Sequence, residues 1–320
     1  MSATPDAAGA ASQMRGNAGD RPQRGRSGQG SAGPGLAEVL VVWGFYGLVA
    51  LDIVATYSRI SPDELYHVSE TGLAGGLGRA LVFVNWPGAL TAIAVLALVN
   101  DRAGAKWPAL AALGLCLVIL VPGVVEESDL DAKWVNVLPA LGVAIALALT
   151  LRAVRVAGIG GGGSRRGDRA RIVVAVALGF LALPWIFAEA GVYIGDVPVL
   201  GSIFRSKEVF EGHAAVHLGE HHGFVGYLLI VTALLLTREL PRMRAPRMRA
   251  ALALYLSGLI AYGLGNMAND AWLEQVVKRG WTSWETPGVI RPDLTWMWGL
   301  TLLLGLAIYA GFFRARSSTG

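Results

Sequence analysis

Residues 213–237 read HAAVHLGEHHGFVGYLLIVTALLLT, a histidine-rich opening that runs into fifteen residues without a charge. The second part belongs to one of eight apolar blocks, each of roughly the 20 residues that a bilayer-crossing helix requires. The blocks run 36–58, 80–100, 107–125, 134–152, 172–194, 217–237, 250–270 and 294–313. With 54% hydrophobic and 16% charged residues and a mean hydropathy of +0.51, the 320-residue chain has too little polar surface to cover a soluble domain. The fold expected is all-α and integral to a membrane, with about eight transmembrane helices and short loops.

Outside these blocks little remains. Residues 1–35 are Gly, Ala, Ser, Gln and Arg with almost nothing to bury, and read as a disordered cytoplasmic tail. No apolar run precedes a cleavage site, so the first block is expected to act as an uncleaved signal. The membrane domain covers 36–316. Gly158, Gly160 to Gly163 and Ser164, beside Arg165, Arg166, Arg169 and Arg171, form a linker between halves 36–152 and 172–313. Each half holds an even number of blocks, so a duplication would be a parallel pseudo-repeat about an axis along the membrane normal. Cys116, the lone cysteine, excludes a disulfide or thiol-pair metal site within one chain.

Basic residues orient the chain. The tail, 101–106, 151–171, 238–249 and the C-terminus together carry 19 of the 27 lysines and arginines. Positive charge is retained in the cytoplasm, which puts both termini inside a cell (plasma) membrane. The pI near 9.4 is thus a topology signal, and a nucleic-acid partner has little support. In this orientation the histidines face outward.

Polar residues inside the blocks cluster at one depth. Asp52, Asn85, Asn136, Glu189, Asn266, Asn269 and Asp270 all fall in outer thirds, and the inner halves hold little polar beyond Ser, Thr and Tyr. An ionisable group in hydrocarbon costs about 2.5–3.5 kcal/mol on insertion scales, so such groups face a cavity or one another. The pattern predicts a wet pocket open to the outside and closed below, which disfavours transport because a transporter needs polar groups at mid-depth. Ser61-Pro62-Asp63-Glu64 is a helix start, predicting a short outer helix that carries Glu64 and His67 and ends at Gly72, Gly75, Gly76 and Gly78. The ten tryptophans mostly suit an interfacial belt.

Four of the five histidines lie in 213–222. On a helix, His213, His217, His221 and Glu220 would share a face about 100° wide, with His222 opposite. Neutral imidazoles one turn apart can share a divalent transition metal, zinc foremost, with copper, iron or haem as further candidates. Each step of four rotates about 40°, so two histidines plus Glu189, Asp52, Glu64 or His67 make a better shell than three from one helix. His217-Leu218-Gly219-Glu220-His221 also has the H-x-x-E-H order of inverted zinc peptidases, with nothing else in the chain like them. Histidine boxes of membrane desaturases need about eight histidines and face the cytoplasm, so that reading fails here. Against all metal readings stands a plainer one, in which these are interfacial histidines and Asp52 and Glu189 only bond neighbouring helices.

Three functions compete. The first is a membrane-embedded metalloenzyme acting on a lipid-linked or extracytoplasmic substrate, with Glu220 as general base. The second is a haem- or copper-binding redox protein using His67 opposite a cluster histidine. The third is a non-catalytic membrane component in contact with membrane lipid.

Overall fold

The computed structural model describes residues 35–59, 70–125, 131–160, 163–190, 198, 209–210, 213–214, 222–277, 279–290 and 292–314. The expected tail and the Glu64–His67 helix lie outside the described residues. Among the described residues, seven helical rods are long and apolar enough to cross a membrane. They are α1 (Ala37–Tyr57), the joined pair α2 (Gly72–Phe83) and α3 (Ala89–Ala103), α5 (Val137–Ala157), α6 (Asp168–Glu189), α7 (His222–Leu236), α8 (Pro246–Trp272) and α9 (Trp296–Tyr309). The chain is a polytopic helical membrane protein. The α2–α3 rod and α7 are the most buried, and α6 and α9 show most of their apolar surface outward.

The third block differs from expectation. It forms α4 (Lys106–Leu117) and a tight turn to Leu120, fifteen residues in all, or about 22 Å at 1.5 Å per residue. A bilayer core is about 30 Å thick. Pro122 and then Gly123, at φ 74°, stop the helix early.

The glycines after residue 71 also differ. They were expected to end a helix, yet Gly72 opens α2. The reason is packing: a Cβ on Gly76 would lie 2.6 Å from the Val54 carbonyl oxygen, so glycine lets α2 press its backbone onto α1. The same device seats α7 on α8, where a Cβ on Gly226 would lie 2.5 Å from the Gly263 carbonyl oxygen. Between α2 and α3, Asn85-Trp86-Pro87 sits in a π turn over Val84–Gly88. There the Tyr46 hydroxyl donates to the Pro87 carbonyl at 3.2 Å and accepts from Thr91 at 2.6 Å.

Arg102, Arg165, Arg238 and Arg242 gather at one end, around two buried acids. Arg102, 1% exposed, reaches the fully buried Glu239 at 3.1 Å, and Arg242 meets the same carboxylate at 3.2 Å. Arg165 contacts Glu38 at 3.1 Å and Glu239 at 3.4 Å, while Arg238 bridges Glu38 at 3.4 Å and Asp168 at 3.3 Å. Single removals from such a network strand a buried charge, which makes it a specific lock. It joins the start of α1, the end of α3, the start of α6 and the segment after α7.

These contacts also fix the direction of the helices. Leu36 N–H donates to the Ile159 carbonyl at 2.8 Å, so α5 ends where α1 begins. Because α3 ends there too, α4 and the segment after it carry the chain to the opposite end. Asp101 accepts from the N–H groups of Arg244 and Ala245, which brings the start of α8 to this basic end. Gly305 lies against Gly258 and Thr301 against Gly265, so α9 runs antiparallel to α8.

Candidate functional site

At the end opposite the arginines, α1, α2, α6, α7 and α8 bring ionisable groups together. Glu189 ends α6 and is 4% exposed. The charged groups facing it are Arg79 of α2 and Asp52 of α1. Arg79 is buried, lies 5.7 Å from the centre of the Tyr57 ring and hydrogen-bonds the Tyr57 side chain. Two acids predicted as ligands from distant parts of the sequence therefore lie at the same end of the bundle, close enough for the charge of exposed Asp52 to act on buried Glu189, and a guanidinium stands beside Glu189. An acid buried at this depth is tolerable because Arg79 compensates it.

One turn before Glu189 on the same helix, Trp185 packs on Gly223 so closely that any Cβ there would overlap the indole. Gly223 follows His222, the first residue of α7. Its N–H is one of the unsatisfied donors of a helix start, and it donates to the Asp270 carboxylate at 2.8 Å. Glu189 and Asp270 thus flank the point where the histidine stretch enters the bundle.

His213 is not helical. It lies in a two-residue strand, His213–Ala214, paired antiparallel with Val209–Phe210, with Phe210 opposite His213. The reading of one helix that carries His213, His217 and His221 on a single face is therefore corrected at His213; α7 is described from His222, and the expected start of the sixth span at residue 217 lies outside the described residues. Val209 and Phe210 are strand-favouring residues, and Gly212 before His213 is a sequence signal for a reversal. His67, His217, Glu220 and His221 lie outside the described residues.

Several polar residues of the outer layer have structural partners. Asn136 accepts from the Lys133 N–H at 2.6 Å at the helix entry. Asn269 donates to Thr286 Oγ1 at 2.8 Å and so ties α8 to the loop before α9. Asn266 donates to its own helix at the Tyr262 carbonyl, 3.0 Å away. Asp52 and Glu189 remain as the acids that face one another's charge. Sequence reasoning passed over Arg79, Tyr57 and the capping role of Asp270. The signal for Arg79 was present as a lone arginine between the apolar stretches 72–78 and 80–84.

No group of three or more His, Cys, Asp or Glu among the described residues is arranged to hold a metal. Asp52 and Glu189 offer the oxygen donors that a divalent ion accepts, but each already has a guanidinium nearby, Arg59 for Asp52 and Arg79 for Glu189. Further donors would have to come from residues 67 or 215–221. Compared with protein-family models, curated proteins and solved structures, the chain matches none.

Proposed function

We propose that this is a cell-membrane protein crossing eight times with both termini cytoplasmic, and that it works at its extracytoplasmic end. The site is the chamber where the histidine stretch meets Asp52, Arg79 and Glu189. In this reading His217 and His221 bind a divalent transition metal, zinc foremost. A carboxylate from Asp52 or Glu189 completes the shell, with His67 or His213 as further donors. When bound, the ion supplies Lewis acidity and an acidified water, suited to hydrolysis of a lipid-linked or extracytoplasmic substrate. Glu220 accepts the proton. Arg79 stands beside Glu189 and offers a guanidinium to an anionic group of the substrate.

One observation carries the reading. Glu189, facing Asp52, sits one turn beyond a tryptophan packed against the residue that follows the histidine stretch. The two acids are 137 positions apart in sequence, and both lie at that end of the bundle. The test is metal analysis of the purified full-length protein, with an absorption spectrum. The expected result is about one equivalent of metal and a colourless protein, with most metal lost in His217→Ala or His221→Ala and little in His222→Ala. Neutral imidazoles are the ligands, so bound metal should fall as pH drops through about 6.5. In Glu220→Gln the metal should stay while turnover is lost. A coloured protein with a haem spectrum would move the assignment to the redox reading. Stoichiometric metal in the His217→Ala/His221→Ala double variant would overturn the site.

A further inference from the structure

We infer that a second site, independent of the one above, holds an anionic phospholipid at the basic end of the bundle. Between α3, α4 and α8 lies a groove of about 600 Å³, within the roughly 300–1,000 Å³ of ligand pockets. Its walls are aliphatic, with Leu96, Leu113 and Leu252 among them, and Tyr255 closes its inner limit. Leu110 lines it and is 46% exposed, so the groove opens sideways toward the surrounding lipid. Its polar lining residues besides Tyr255 are Asn100 and Lys106, both at the basic end.

The occupant follows from this polarity. From Lys106 to Leu113 the groove runs seven helical residues, or about 10 Å, within the roughly 15 Å that one leaflet contributes to the core. A guest must therefore be apolar along most of its length and carry its polar group at one end, as a lipid acyl chain does. Cations set the sign of that polar group. Lys106 lines the mouth, with its ammonium 5.3 Å from the centre of the Trp107 ring. Exposed Arg247 immediately precedes Met248, another lining residue, in the first turn of α8. The nearest acid in sequence, Asp101, is buried and engaged by Arg102 at 3.5 Å and by two backbone N–H groups of the α8 entry. The mouth is positive, and a phosphodiester headgroup with net negative charge complements it.

Native mass spectrometry of the delipidated full-length protein in detergent, titrated with dioleoyl phosphatidylglycerol or dioleoyl phosphatidylcholine, tests this. One basic residue near a headgroup is worth about fivefold in affinity. The wild type should bind one phosphatidylglycerol saturably and prefer it over phosphatidylcholine about tenfold. Lys106→Gln/Arg247→Gln should bind both lipids alike, whereas Lys106→Arg should keep the preference. Ala251→Trp, at an exposed position on the groove wall, should bind neither lipid saturably. Circular dichroism identifies any variant that does not fold, and Lys106→Gln alone then replaces it, with a smaller loss of preference expected. Equal binding of the two lipids by the wild type, or wild-type binding by Ala251→Trp, would overturn the proposal. Metal content is not read in this experiment, so its failure leaves the histidine site untouched, and the reverse also holds.

Discussion

Glu189 and Arg79 show how one pair of side chains constrains the molecule. Each is buried, on separate helices, at the end of the bundle where Asp52 adds a second negative charge. Removing one member leaves the other without its counter-charge, which costs about 3–5 kcal/mol for a buried pair. Replacing both removes the problem. Thermal unfolding in detergent should therefore show Arg79→Met and Glu189→Leu each strongly destabilised. The double variant should be clearly more stable than the sum of the two losses, by about 0.5–3 kcal/mol. Additive losses would mean that the two side chains do not act as a pair.

Helix packing here depends on glycine at two crossings. α7 meets α8 backbone to backbone at Gly226 and Gly263, and α2 meets α1 at Gly76. Without a hydrophobic drive between helices in lipid, such close approach supplies the van der Waals contact that holds them. Gly226→Val should lower the unfolding temperature substantially, whereas Gly258→Ala, where a Cβ meets open space, should leave it unchanged. Equal behaviour of the two variants would remove the glycine contact as a cause of stability. The same crossings explain what the sequence could and could not convey. Long apolar runs announced α1 to within a residue and α5 and α9 to within five at each end, because lipid demands an uninterrupted apolar length whatever its neighbours are. Gly72, Gly75, Gly76 and Gly78 looked like a helix end because glycine ordinarily is one, and only the partner helix reveals the packing role of Gly76. The early end of α4 was written in Pro122-Gly123, inside a block that hydropathy alone treats as continuous. Asp52 and Glu189 were legible as candidates from their depth. Arg79 stood out as a lone arginine between apolar stretches, but its role was not legible, since a cation's role depends on which acids the other helices bring to it.

Over the whole molecule, charge is divided between the two ends and by kind of use. At one end arginines enclose Glu38 and Glu239 and tie four segments together. At the other, Arg79 stands with two acids beside the entry to α7. A locked basic end and a group of ionisable residues opposite it suit a site at one end of the bundle, and the function proposed above takes the arginine-rich end as cytoplasmic. The function proposed depends on that assignment, because a histidine site facing inward would meet different substrates. The direct measurement is labelling of single cysteines on intact cells by a membrane-impermeant thiol reagent, in a Cys116→Ser background. Cysteines in place of Ser206 and Ser283 should react, and one in place of Ser164 should react only after the cells are opened. Labelling of the Ser164 position on intact cells, with Ser206 and Ser283 protected, would reverse the orientation and contradict the account.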